Sequence, residues 1–129
     1  MANQNSVVTK ARRKSLAQIT SGAITALPKI AAIALGDGGV QEDGTVLPPG
    51  EDQTELHHEV GRYTVAEPTF PVETTARYQI TVPETELAGV SISEIALVDE
   101  AGTLCAIRST SPKTKDEDEE FTFIFDDEF

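Results

Sequence analysis

Apolar positions recur at three- and four-residue spacing in one place, near the start of the chain: Leu16, Ile19 and Ala23. That period predicts a helix from Thr9 to about Ser21, with Thr9 as N-cap and Gly22 as the stop. Arg12, Arg13 and Gln18 lie on the opposite face. A longer helix to Leu27, ended by Pro28, is the alternative. The Gly and the β-branched pair in Ser-Gly-Ala-Ile-Thr favour the shorter one. Lys29 to Leu35 is then a short apolar run between Pro28 and Gly36-Asp37-Gly38-Gly39. Its length and punctuation predict a buried strand.

Residues 36–55 are rich in Gly, Pro, Asp and Glu and read as a long surface loop, a kind that is often functional. From Leu56 the period changes to two. HHEVGRYTV is extended but irregular, and Pro68 and Pro71 interrupt it. ARYQITV alternates well, with Tyr78, Ile80 and Val82 on one face. PETELAG is a turn region. Val90 to Val98 is a strand, Asp99-Glu100-Ala101-Gly102 a hairpin connection, and Thr103 to Ser109 its antiparallel return. After the polar stretch TSPKTKDEDEE comes a last strand, Phe121 to Phe125 or beyond. Phe121, Phe123 and Phe125 share one face; Thr122 and Ile124 take the other.

The expected fold is α+β: one N-terminal helix packed on a mostly antiparallel sheet or small β-sandwich of five to six strands. Residues 1–8 are polar and unpatterned and are expected to be a flexible N-terminal arm; residues 9–129 make a single α+β domain. With 129 residues and 39% hydrophobic composition the chain can bury one modest core. Five Phe, two Tyr and no Trp make that core largely aliphatic.

Charge divides the chain. Residues 1–40 hold five basic residues and one acid, for +4, whereas residues 41–129 hold five basic and 21 acidic residues, for −16. The total of −12 makes nucleic acid a poor partner for the surface as a whole. No run reaches the ~18–20 apolar residues of a membrane span, and the start lacks the charge-then-apolar order of a secretory signal. Lys10, Arg12, Arg13 and Lys14 form either a solvated basic face or a docking surface for an acidic partner, the chain's own acidic last strand or a neighbouring subunit's included.

Candidate chemistry is sparse. His57 and His58, flanked by Glu55 and Glu59, are the first metal candidate. Adjacent strand residues point to opposite faces, and zinc needs three or four ligands, so surface residues are expected there. Asp37-Gly-Gly and Gln41-Glu42-Asp43-Gly44 fail the EF-hand spacing, because Gly39 and Gln41 occupy its third and fifth positions. Gly36-Asp37-Gly38-Gly39 lacks the dinucleotide spacing, and no nucleophile elbow occurs. Cys105, the one cysteine, sits mid-strand and is expected to be buried and inert. Tyr63 and Tyr78 alone make a poor aromatic groove for a carbohydrate- or peptide-binding β module. No enzyme, metal, cofactor or small-molecule substrate is expected.

Several segments taken in order resemble the N-terminal domain of phage tail-collar fibre proteins. They are Thr9-Lys-Ala-Arg-Arg opening a helix, KIAAIALGDGG, Thr54-Glu-Leu leading to a strand with Arg62, and ISEIALVDEAGTLCAI. The resemblance spans residues 9–129. Arg12 and Ala96 stand where the family usually has Gly; both preserve the helix and the strand. It implies a structural role without catalytic residues: a module, typically trimeric, that joins a fibre or appendage to the baseplate of a phage tail or a phage-tail-like contractile particle assembled in the bacterial cytoplasm. A chain stopping at Phe129 is expected to be that attachment module alone. Its interface is expected to use Lys10, Arg12, Arg13, Lys14, Phe121, Phe123, Phe125 and Phe129 toward a second copy and toward baseplate or tail fibre proteins.

Overall fold

A computed structural model describes residues 5–129. Among these residues the chain forms one helix and eight strands: β1 (Ser6–Val8), α1 (Lys10–Thr20), β2 (Ile30–Gly36), β3 (Glu59–Thr64), β4 (Thr69–Val72), β5 (Thr75–Val82), β6 (Ser91–Asp99), β7 (Leu104–Thr114) and β8 (Phe121–Glu128). All strand pairs are antiparallel. A five-stranded sheet runs β1-β7-β6-β2-β3 and a three-stranded sheet runs β4-β5-β8. The α+β class expected from the sequence is the one found, with eight strands in place of five or six.

Period-two alternation places the core between the sheets. Ile33, Leu35, Ile95 and Leu97 from the large sheet meet Ile80, Val82, Phe123 and Phe125 from the small one. The intervening positions, Ala34, Ala96 and Val98, face the other way and pack with Leu56, Leu104 and Ile107. Leu56 belongs to the long connection from β2 to β3, so that loop covers the second face of the large sheet.

Helix α1 supplies no residue to either cluster and buries none of its side chains completely. It packs chiefly against β7, with Arg12 reaching Asp127 of β8. Its limits follow the sequence closely. Thr9 caps it by accepting the Arg12 N–H, and Ser21 closes it ahead of Gly22, whose φ of 83° is the left-handed conformation glycine tolerates. Gly102 turns the β6–β7 hairpin at φ 87°.

Three segments differ from the expectation. Of the flexible arm expected over residues 1–8, residues 1–4 lie outside the described residues, and Ser6–Val8 instead pair with Ala106–Arg108 as an edge strand. The same three-residue strand feeds Thr9 into β7, where its hydroxyl donates to the Leu104 carbonyl at 2.6 Å. Thr69–Val72 forms a strand despite Pro71, because β4 is an edge and a missing N–H there costs no ladder bond. Strand β7 continues past Ser109 to Thr114, with Pro112 inside the bulge between the Glu94–Ser109 and Ile92–Lys113 pairs.

Candidate functional site

The basic start of α1 opposes its own dipole. Lys10, Arg12 and Arg13 occupy the first turn, where no acidic residue stands, yet that end of a helix favours negative charge. The carboxylates come from elsewhere in the chain. Asp127 of β8 meets Arg12 at 2.8 Å with both side chains largely buried, Glu51 meets Arg13 at 2.6 Å, and Asp52 lies 3.8 Å from Lys10. Arg12 also stacks on Phe129, 5.2 Å from the ring centroid. The chain's own acids thus occupy three of the four expected docking cations. Lys14 is exposed and forms no ion pair with the described residues.

The phenylalanine stripe divides likewise. Phe123 and Phe125 are 6% and 4% exposed and belong to the chain's own core, which leaves no room for a second subunit against them. Phe121 is half-buried and packs edge-on against Phe123 at 5.9 Å. Only Phe129 of the stripe is open, at 69%.

The most organised polar cluster joins two motifs whose pairing the sequence did not show. Glu94, in the middle of β6, is 1% exposed. Its carboxylate accepts backbone N–H groups from Gly38 at 3.0 Å, His57 at 2.9 Å and His58 at 2.8 Å. The neighbouring Ser93 hydroxyl accepts the Gly39 N–H at 2.9 Å. A buried carboxylate is tolerable only when its lone pairs are taken up, and these donors do so. The glycines make the approach possible. A Cβ on Gly36 would lie 2.5 Å from the Glu94 carboxylate, and one on Gly39 would lie 2.2 Å from the Ser93 carbonyl oxygen. Gly36-Asp37-Gly38-Gly39 and Ser93-Glu94 are therefore two halves of one lock. It pins both ends of the long loop to the centre of the large sheet. One sequence signal pointed to it: a lone acid inside the apolar run Ile92 to Val98.

The histidines serve that lock. His57 turns its ring toward Glu94, with Nδ1 3.4 Å from Oε1, while the His58 ring pairs with Asp37. They precede β3 and do not share a ligand position. Among the described residues no group of three or more His, Cys, Asp or Glu side chains is arranged to hold a metal ion. Cys105 is buried beside Asp99, and desolvation, reinforced by that carboxylate, pushes its thiol up to about 12.

Lys115, also passed over in the sequence, is 1% exposed. Its ammonium donates to the carbonyls of Glu84 at 2.6 Å, Glu119 at 3.0 Å and Asp116 at 3.1 Å. All three donors are satisfied, and the acidic stretch 116–120 is tied to the turn after β5.

Between the two sheets lies a groove of about 340 Å³. Its walls are the edge strands β1 and β8, with Val8 and Ile124 exposed on them, and its floor includes Ala106 and Arg108 of β7. Arg108 stacks on Phe125 at 5.0 Å and donates one guanidinium N–H to the Ile124 carbonyl at 3.1 Å. Its Nε has no hydrogen-bond partner among the described residues, and burial pushes the guanidinium pKa down. Asp126 on the groove's rim is held below the usual carboxylate range by the Arg77 side chain. Among the described residues no helix is long and apolar enough to cross a membrane.

A family model described as phage tail-collar fibre protein, N-terminal, matches residues 1–123. No curated protein and no solved structure matches the chain. The match takes in α1, the glycine-rich end of β2, its Ser93-Glu94 counterpart and the β6–β7 hairpin, and on that extent the chain belongs to the phage tail-collar fibre protein N-terminal family.

Proposed function

We propose that the chain is a structural component of a phage tail or phage-tail-like contractile particle, where it attaches a fibre or appendage to the baseplate through protein–protein contacts. The observation that carries the reading is the family match over residues 1–123 of a 129-residue chain. The site geometry supports it. The motifs that stand out in the sequence, Gly36-Asp37-Gly38-Gly39 and Ser93-Glu94, spend their hydrogen bonds on each other and build a scaffold. In this role residues 9–129 act as one attachment domain. The chain works as a homo-oligomer, with a trimer favoured, alongside baseplate or tail fibre proteins. Lys10, Arg13, Lys14 and Phe129 are the members of the expected interface that stay exposed, Lys10 and Arg13 in surface ion pairs.

The test is made on particles. An epitope-tagged chain is expected to co-purify with intact tails and to be located near the fibre base by electron microscopy. Deleting its gene is expected to leave tails that assemble but lack fibres. Absence of the chain from purified tails, or full fibre occupancy without it, overturns the reading.

A further inference from the structure

Two exposed apolar features lie at opposite edges of the same three-stranded sheet. One edge is β4, which is exposed along its whole length and presents Phe70 at 66% and Val72 at 58% exposure. The other edge is β8, which walls the groove with Ile124 at 42% exposure. The groove, at about 340 Å³, exceeds the ~150 Å³ that suffices for a benzene-sized ring. Charge offers one pairing, although Glu128 also lines the groove. The groove floor holds the half-buried Arg108, which makes no salt bridge among the described residues and feels the charge of Asp126, itself bridged to Arg77; Glu67 and Glu73 flank β4 and make no salt bridge either. Within the chain, Asp126 and Asp127 on the groove's rim are already taken by Arg77 and Arg12.

We infer that the β4 edge of one copy inserts Phe70 into the β1–β8 groove of a second copy, with Glu67 or Glu73 reaching Arg108. The inference rests on the oligomer proposed above and specifies its contact. The contact is made by side chains, not by a continuous ladder. Pro71 removes one N–H from β4, and Arg108 already occupies the Ile124 carbonyl on β8. Because the two surfaces differ, the interface is heterologous and runs head to tail, the arrangement that closes into a ring when the rotation permits.

The experiment uses the full chain and two variants, Phe70→Ser and Ile124→Glu, at exposed positions where the fold is expected to survive; circular dichroism and melting check this. Sedimentation across micromolar concentrations is expected to show an oligomer for the unaltered chain. Each variant alone is expected to associate at least about tenfold more weakly. Mixing the two variants is the decisive arm. Each keeps one intact surface, so a head-to-tail contact yields one-to-one pairs that grow no further. A monomeric unaltered chain, an oligomer that both variants retain, or variants that fail to pair on mixing would each overturn the contact. If such a monomer is still present in purified tails, the contact is wrong and the tail reading stands; absence from tails removes the tail reading.

Discussion

Gly39 sits where the backbone of the long loop meets β6, and a methyl group there would lie 2.2 Å from the Ser93 carbonyl oxygen. Backbone on both sides leaves little to yield. Gly39→Ala is expected to cost about 3 kcal/mol or more, as overpacking against a buried hydrogen-bonded network does. Gly50 is the matched control, since a Cβ there meets nothing within 4 Å and its φ is not left-handed. Gly50→Ala is expected to be neutral or to gain up to about 1 kcal/mol through the unfolded state. Urea denaturation of both variants checks the contrast. Cys105 makes a second prediction at this scale. Its thiol is raised from 9.0 to about 12 in the fold, chiefly by burial. Between those values the unfolded chain has lost its thiol proton and the folded chain keeps it. Stability therefore falls as pH rises from about 9 to about 12, and is fully present below 9. Tyr63, also raised to about 12, acts with the same sign. The fall should be shallower in Cys105→Ala, and it is this difference in slope, measured by denaturation at several alkaline pH values, that isolates the thiol.

At the level of elements, α1 is held by its N-terminal end and not by an apolar face. Thr9 plugs into β7, and Arg12 is clamped between Asp127 and Phe129. Removing Asp127 strands a mostly buried guanidinium in the first helical turn. Asp127→Ala is expected to cost about 3 kcal/mol, whereas Glu51→Ala, which frees the exposed Arg13, should cost at most about 1 kcal/mol. A double-mutant cycle of Arg12 with Asp127 measures the pair. The contrast also shows which features were legible in the sequence. Thr9 as N-cap, Gly22 and the Asp99–Gly102 turn act through neighbours in the chain, so their residue types sufficed. The alternations in Ala76–Val82 and Val90–Val98 placed β5 and β6 within a residue or two. Strand β4 and the far end of β7 were hidden by Pro71 and Pro112, which an edge and a bulge absorb. The Glu94 lock was hidden for a different reason. Its donors lie 36 to 56 residues away in sequence, and no local pattern announces a pairing that only the sheet brings about.

Over the whole molecule the +4 and −16 portions of the chain find each other. Arg12 with Asp127, Arg13 with Glu51 and Lys10 with Asp52 each join one portion to the other. Two of these pairs are exposed and worth little, and pairing within the chain does not change the net −12, which stays as self-repulsion of the compact state. The acidic stretch 116–120 is the densest part of it, held down by the buried Lys115. Salt acts on these terms with opposite sign. It weakens exposed pairs and screens long-range repulsion, while the buried Arg12–Asp127 pair is screened least. With 22 acids against ten basic residues, repulsion outweighs the few exposed or partly exposed pairs. Raising sodium chloride from about 0.01 M to about 0.1 M shortens the screening length from ~30 Å to ~10 Å, the span of a small sheet. The folded state is expected to gain on the order of 1 kcal/mol, or roughly 3–5 °C in melting temperature for a chain of this size. Chloride is the salt to use, because sulfate would stabilise by exclusion from the surface whatever the charge. A melting temperature that falls over this range would show that the exposed pairs outweigh the repulsion. Neutralising Glu117 and Asp118, which carry no ion pair, should then raise the low-salt melting temperature and flatten its rise with salt.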